Sequence, residues 1–541
     1  MELIILSSLE KVFSDEKPSA KAFGGFSMLK NERSSFQAAF CPGKDMEISV
    51  SLEGELAAYS KTYFVKEVPV GTACNEDADD FFLRKTSGMY PDVLVPVEGE
   101  LSVESGKWYS IWVEVVPEEK VIGKSELKVA VSENGSVIAD GSVSVEVIDC
   151  CLEKQKLIHT NWYHADCLCN YYDVEAMSDE FWRINKNYIS TAVEHGVNCI
   201  LTPVFTPPLD TKVGGERRTI QLVGVKIKGK EYSFDFTNLK KWIDMCLECG
   251  VEYFEISHLF TQWGAKHAPK IVAIDKKGRE KKIFGWKTRT SSKKYDDFLR
   301  AFGKELMAFI EENGLKDKCV FHISDEPAKR HLKTYKKRAN LISEVFDGMK
   351  VIDALSDFEF YETGAVKNPV PCESDIEDFV GKVPALWTYY CCGQDKDYLP
   401  NRFMSMPSQR NRILGTLLYK YDIEGFLQWG YNFYNLQYSV KAIDPYQITD
   451  AGGSFPSGDS FVVYPSCKGE ALASLRLKVF YDGFQDMMAL RTLENKVGRE
   501  KVLEFLENES VKSLSFTEYP REAEWLLGLR EKINAMIKEN I

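Results

Sequence analysis

The feature that most constrains this chain is a change of hydrophobic period near residue 150. Up to that point apolar residues alternate with polar ones or form short β-branched runs: MEISVSL, YFVKEVPV, DVLVPVE, WYSIWVEVV, ELKVAVSE and GSVSVEVID. Turn signals such as Pro42-Gly43 and Asn134-Gly135 separate them. Regular short strands without a helical pattern predict a two-sheet β-sandwich over 1–150. From about Lys156 the pattern changes. Apolar strands KLIHTNWYH, NCILTPVF, EYFEISHLF, CVFHISDEP, KVIDALS, PALWTYYCC, GFLQWGYNF and SFVVYPS alternate with amphipathic helices such as DEFWRINKNYISTAVEHG and NLKKWIDMCLECG. The first of these helices opens on Ser178 and Asp179 and closes on Gly196, residues suited to the two ends of a helix. Eight strands with helices between them predict a (β/α)8 barrel over 151–500. No strand runs into a GxGxxG turn, so a doubly wound dinucleotide fold lacks support. The remainder, 501–541, reads as a helical end packed on the barrel.

Charge and cysteines narrow the partners. Asp and Glu number 81 against 68 Lys and Arg, a formal charge of −13. Such a balance argues against duplex nucleic acid or an anionic membrane as the main partner. The Lys-rich stretch 275–287 reads as a solvated hairpin. The opening MELIILSSLEKVF has Glu2 where a secretory signal wants basic residues, and its apolar run is short. No stretch approaches the ~20 apolar residues of a membrane span. The expectation is a soluble cytoplasmic protein. Its 14 Cys include Cys391–Cys392 and the pair Cys246 and Cys249, which falls inside a helix pattern with no second metal-binding pair at finger spacing. Reduced thiols and no metal are expected.

In such a barrel the chemistry gathers at the C-terminal strand ends. The first strand ends in Trp162 and His164. The third offers Glu255 and His258, with Trp263 just beyond. The fourth ends in His322, Asp325, Glu326 and Pro327. Later ends supply Trp387 and Tyr389, then Trp429 and Asn432, and a last group near Asp459. Carboxylates, aromatic faces, imidazoles and amides without a phosphate loop or Ser-His-Asp set suit a neutral polyol. Carbohydrate is the natural candidate, and the aromatic content of 12% agrees with that. The sharpest element is HISDEP, 322–327. Adjacent acids on a regular strand face opposite ways. At a strand end the chain can turn, and Pro327 breaks the ladder there, so both carboxyls can reach one pocket. Two close carboxyls push their pKa values apart, which suits acid-assisted glycosidic cleavage. Trp182, Trp242 and Trp525 fall in helix patterns and read as core; Arg410 and Arg412 read as braces.

These segments resemble glycoside hydrolase family 123, the β-N-acetylgalactosaminidases, and the wider group sharing their catalytic domain. HISDEP looks like the family's Asp-Glu pair. PALWTYYCCG with RNRILGTLLYKYDIEGFLQWGYNFY looks like its aromatic strand, arginine helix and tryptophan strand. GDSFVVYP and LRLKVFYDGFQDMMAL look like its closing strand and final helix. The resemblance implies retaining, substrate-assisted hydrolysis through an oxazoline, without a cofactor, on an oligosaccharide or glycoconjugate carrying β-linked N-acetylhexosamine. It implies Glu326 as acid and then base, and Asp325 as the partner of the acetamido N–H. Tyr389, Trp387 and Trp429 would enclose the acetamido group, with Trp162 as a further wall. His164, His258, Asn432 and Asp459 would bond hydroxyls. Two other readings stay open: a glycosidase pairing Glu326 with Glu255 or Asp353, and a non-catalytic sugar-binding protein on the same scaffold.

Overall fold

The computed structural model describes residues 1–229, 231–510 and 513–541. Val511 and Lys512, inside the expected helical end, lie outside the described residues.

Residues 2–151 form two five-stranded sheets. Period-two patterning gives each strand two different faces. On Tyr109–Val115, the side chains of Ile111, Val113 and Val115 join a core shared with the other sheet, together with Met28, Leu127, Val129 and Val145. The alternate residue Trp112 turns the other way and joins the core that continues into the barrel region. The first sheet is thus covered on both faces.

The α/β region is built on eight parallel strands: β1 (Ile158–Asn161), β2 (Cys199–Thr202), β3 (Tyr253–Ile256), β4 (Cys319–His322), β5 (Lys350–Ala354), β6 (Asn368–Val370), β7 (Trp387–Tyr389) and β8 (Gly425–Gln428). They lie side by side in chain order, and β8 pairs with β1. A bridge between Cys372 and Tyr389 links the end of β6 to β7 and nearly closes the ring. The strands are short, and β1 to β4 alternate with the helices Asp179–Val193, Thr237–Glu248 and Lys293–Glu312. Ser178 caps the first of these through its Oγ, which accepts from the Phe181 N–H at 3.2 Å. The sequence reading places two of the eight strands differently. SFVVYPS is not a barrel strand: Val463–Pro465 pairs antiparallel with Ala471–Ala473 outside the ring. The sixth barrel strand is Asn368–Val370, which contains Pro369 and has only three residues, too short for a periodic signal.

Between β2 and β4, loop segments form a small sheet. Gly224–Lys228 pairs with Glu231–Asp235 and Ile271–Asp275, and the last pairs antiparallel with Glu280–Phe284. The Lys-rich stretch is the turn and second strand of that hairpin. After β8 come the helices Leu475–Val497, Arg499–Glu509 and Ala523–Glu539. Every cysteine is free. No helix among the described residues is long and apolar enough to cross a membrane.

Candidate active site

A cleft of about 230 Å³ opens at the C-terminal ends of the barrel strands; β5, β7 and β8 reach its lining directly, and the segments that follow β1 to β4, β7 and β8 supply the rest. Its centre is the turn after β4. Glu326 has φ of 43°, the left-handed region that a non-glycine residue seldom occupies. Its N–H donates to Ala354 O at 2.9 Å, and Asp325 O accepts from Trp263 N at 2.7 Å, which hold the turn from both sides. The turn defeats the alternation of the strand, so the neighbouring carboxyls of Asp325 and Glu326 line one cleft. Tyr389, the last residue of β7, donates its hydroxyl to Glu326 Oε1 at 2.7 Å. Burial, and then the adjacent Glu326 charge, push the Asp325 carboxyl well above the usual carboxylate range. Both causes favour the neutral form of the Asp325 carboxyl.

Three inner rings are each fixed by a polar handle. Trp162 Nε1 donates to Glu255 Oε1 at 3.0 Å. Trp429 Nε1 donates to Asp459 Oδ2 at 2.9 Å, and Phe455 packs edge-on against Trp429 at 5.4 Å. Tyr389 is the third, through Glu326. Beneath Trp162 lies a fully buried network. His322 stands between Glu255 Oε1 at 3.0 Å and Asp353 Oδ1 at 3.2 Å. Burial alone would lower its pKa, but the two carboxylates outweigh that and raise it to about 10. Ala354 N–H also approaches His322 Nε2, at 3.1 Å; a full carboxylate charge at similar range outweighs one amide dipole, so the ring is imidazolium. Glu255 Oε2 accepts from Thr160 Oγ1 at 2.6 Å, and Asp353 Oδ2 accepts from Ser324 N at 3.0 Å and from the Tyr335 hydroxyl.

Glu255, His258 and His322 offer ligand atoms within 4.8 Å of one another, the spacing of a divalent-cation site. His322 already turns both nitrogens to carboxylates, and Glu255 uses both oxygens. His258 is buried with both ring nitrogens unpartnered, and burial followed by the His322 charge holds it neutral. The donors other than His258 are therefore committed to hydrogen bonds that hold the cleft floor.

Of the ten residues given catalytic or binding roles from sequence, Asp325, Glu326, Trp162, Tyr389 and Trp429 line the cleft, as does Trp263, marked just past the third strand. The other five do not. Trp387 opens β7, inside the barrel, where its Nε1 donates to Glu424 Oε2 at 2.9 Å. His164 is buried behind Trp429: its Nε2 meets Trp429 O at 3.0 Å and its Nδ1 meets Arg217 Nη2 at 3.0 Å. Asn432 accepts from His164 N at 2.8 Å. Asp459 is fully buried behind Trp429, and burial raises its pKa to about 7. His258 packs edge-on under Trp162 at 5.0 Å. His164, His258, Asn432 and Asp459 hold the walls one layer below the surface a ligand would touch, and Trp387 lies deeper, at the N-terminal end of β7. Arg410 and Arg412 are buried in pairs with Asp79 and Asp486.

Asp210, Gln262, Tyr438 and Phe455 also line the cleft and were missed. They lie on long segments after β2, β3 and β8, away from strand ends. Asp210 Oδ2 accepts from Tyr438 N at 2.8 Å, and burial raises its pKa to about 6. Cys391 and Cys392 complete one wall.

The family model for the glycoside hydrolase 123 catalytic domain matches residues 162–493. Among solved structures, a family 123 glycoside hydrolase from Clostridium perfringens, studied for glycolipid glycan hydrolysis, shares 14% identity with a TM-score of 0.73, covering 99% of this chain and 97% of its own. A family 2 glycosyl hydrolase from Bacteroides cellulosilyticus shares 8% identity over 85% of this chain and 49% of its own, with a TM-score of 0.30, too low to bear on the fold. A search of curated proteins gives no match.

Proposed function

The chain belongs to glycoside hydrolase family 123 and is a glycoside hydrolase, and from that premise we propose that it releases β-linked N-acetylgalactosamine by a retaining mechanism in which the substrate's own acetamido group is the nucleophile. Glu326 gives its proton to the glycosidic oxygen while the acetamido carbonyl oxygen attacks the anomeric carbon. The bond to the leaving group breaks and an oxazoline forms. Asp325, ionised at that moment, accepts the acetamido N–H and offsets the positive charge developing there. Glu326, now a carboxylate, takes a proton from the water that opens the oxazoline, and the configuration at the anomeric carbon is retained. The acetamido N–H favours the anion of Asp325, the form this mechanism needs. Trp162, Trp429 and Tyr389 enclose the sugar.

The observation that carries this reading is the position of the two carboxyls. They are chain neighbours in one cleft, so they serve two parts of one sugar and do not flank its ring as an acid and a nucleophile do. Glu255 and Asp353, the partners for an enzyme-nucleophile mechanism, are fully buried beneath the floor with their oxygens in hydrogen bonds. Among the described residues Asp210 is the one other carboxylate in the cleft lining. We also read the two N-terminal sheets as a β-sandwich that braces the barrel.

The test is hydrolysis of aryl β-N-acetylgalactosaminide, β-N-acetylglucosaminide and β-galactoside, with inhibition by a thiazoline that mimics the oxazoline. Cleavage confined to acetamido sugars and tight thiazoline binding are expected. Comparable cleavage of the β-galactoside, which has no acetamide, overturns the mechanism; a glycosyl group trapped on Asp210 would replace it with an enzyme nucleophile.

A further inference from the structure

Two neighbouring thiols in the cleft wall take no part in the mechanism above. Cys391 and Cys392 follow β7, whose last residue, Tyr389, holds Glu326. Both line the cleft, and both are free and half-buried. On a regular strand adjacent side chains face opposite ways. Here the strand has ended, and the chain turns over residues 391–394: Gln394 N–H donates to Cys391 O at 3.3 Å. Side chains fix that turn. Cys391 N–H donates to Gln394 Oε1 at 2.9 Å, and Asn401 Nδ2 donates to Cys391 O and to Gln394 O, each at 2.9 Å. Asn75, from the N-terminal region, donates its Nδ2 to Cys392 O at 2.9 Å. The backbone on both sides of the pair is therefore held before any ligand arrives.

The two thiols also meet each other, the Cys391 S–H donating to the Cys392 sulfur. That contact, and then burial, push the Cys391 thiol well above its ordinary range. A reagent that needs a thiolate is slow at such a group. The other chain-neighbour pair, Cys150 and Cys151, ends the strand Ser136–Cys151. There the alternation holds: Cys150 packs on the core and Cys151 is exposed. The pair after β7 is thus distinguished by two sulfurs in contact, on a fixed turn, facing one cleft.

We propose that Cys391 and Cys392 form a chelating site for a thiophilic centre of the arsenic(III) class, and that its occupation closes the cleft beside Glu326. Sulfur ligands select soft centres over hard ones. With an oxo-arsenical both S–H bonds break and two As–S bonds form. The two protons leave with the oxide oxygen as water, and no oxidation state changes. The second As–S bond closes within the molecule, so the pair should hold arsenic roughly 10²–10⁴-fold more tightly than either thiol alone. The cleft holds about 230 Å³, so an aryl-arsenic group on its wall takes the space a substrate needs. The closure rests on the glycosidase reading above; the site itself does not.

The probe is phenylarsine oxide, added to the whole chain carrying Cys150→Ser and Cys151→Ser, which removes the other adjacent pair. Intact-mass spectrometry should show one phenylarsenic unit per chain. It should survive excess mercaptoethanol, a monothiol, and leave with dithiothreitol, as two As–S bonds require. Adding Cys391→Ser or Cys392→Ser should abolish retention through the monothiol wash. No retention in the parent, or retention unchanged in both variants, overturns the site. If the serine variants do not fold, peptide mapping of the labelled parent decides: arsenic on the peptide holding both thiols upholds the site, and arsenic elsewhere overturns it. Labelling should lower hydrolysis of an aryl β-N-acetylgalactosaminide by about tenfold or more, and dithiothreitol should restore it. Labelled protein with undiminished activity overturns the closure. Protein that cleaves no glycoside before labelling refutes the hydrolase reading instead, and the retained mass still decides the site.

Discussion

On the proposed mechanism Asp325 and Glu326 act on different parts of one sugar, which makes these two side chains unequal in their response to substitution. Glu326→Gln removes the acid but leaves Asp325 to hold the acetamido group. The expected loss is about 10²–10⁴-fold in kcat on substrates with poor leaving groups, and much less on aryl glycosides whose leaving group departs unaided. Asp325→Asn should fail on good and poor leaving groups alike, because oxazoline formation itself is weakened. Steady-state kinetics on a dinitrophenyl glycoside and a disaccharide separate the two patterns; both variants near wild type would place the chemistry elsewhere. Tyr389→Phe removes the hydroxyl that donates to Glu326 Oε1, and a smaller loss, roughly tenfold, is expected in kcat. The place of Asp325 and Glu326 in the cleft was legible because the pair closes an apolar strand at the end where a barrel gathers its chemistry; an acidic turn before a proline is by itself a weak signal. His164, His258, Asn432 and Asp459 were drawn from the same strand ends and lie one layer deeper. Sequence shows that a residue is near a strand end but not which way a bent segment turns it. Trp263 was marked just past the third strand, but Tyr438 takes its place from a long-range bond to Asp210, which no local pattern records.

At the scale of elements, β3, β4 and β5 are joined side to side by one charged unit: Glu255 on β3, His322 on β4 and Asp353 on β5. Neutral His258 also faces it, with the Asp325 and Glu326 carboxyls above. His322 is held as imidazolium up to about pH 10, against about 6.5 when unfolded. Between these values the folded chain binds more protons than the unfolded one. Stability from this group is therefore complete below about pH 6.5 and is lost as pH rises toward 10. His322→Gln should cost about 3–5 kcal/mol near neutrality, because two buried carboxylates lose their counter-charge. It should also flatten that alkaline decline in thermal unfolding. The same charge lowers Asp325, so its removal should move the acid limb of the kcat/KM profile to higher pH. A variant that is less stable but has an unmoved pH profile would confine His322 to a structural role. The barrel itself was legible in its alternating pattern, and the ring order matches the chain order. Two elements were not. Asn368–Val370 is too short and proline-broken to show a period, whereas the apolar run at Val463–Pro465 has the composition of a buried strand without its pairing.

Across the whole molecule, the N-terminal sheets and the α/β region are held together by apolar contact around Trp112 and by buried ion pairs, which makes the junction sensitive to acid. Glu114, on the same strand as Trp112, accepts from Lys478 Nζ at 2.6 Å and Arg33 Nη1 at 3.2 Å. Arg476, two residues before Lys478, grips Asp92 with two bonds of 2.8 and 2.9 Å. Burial opposes the charge on Glu114, but Lys478 and then Arg33 prevail and lower its pKa to about 2. Its unfolded value lies near 4.3. The stabilisation is therefore complete above that value and disappears as pH falls toward 2. Glu114→Gln leaves Lys478 buried without its charge partner and should cost about 3–5 kcal/mol at neutral pH. Adding Lys478→Met should recover most of that loss, because the stranded charge goes with its partner and an apolar chain of similar length takes its place. Urea unfolding of the single and double variants measures both quantities. A double variant no more stable than Glu114→Gln would mean that the junction depends on the shape of Lys478 and not on its charge. The acid decline should also be shallower in the double variant, which has no group at this position to protonate between pH 4 and 2.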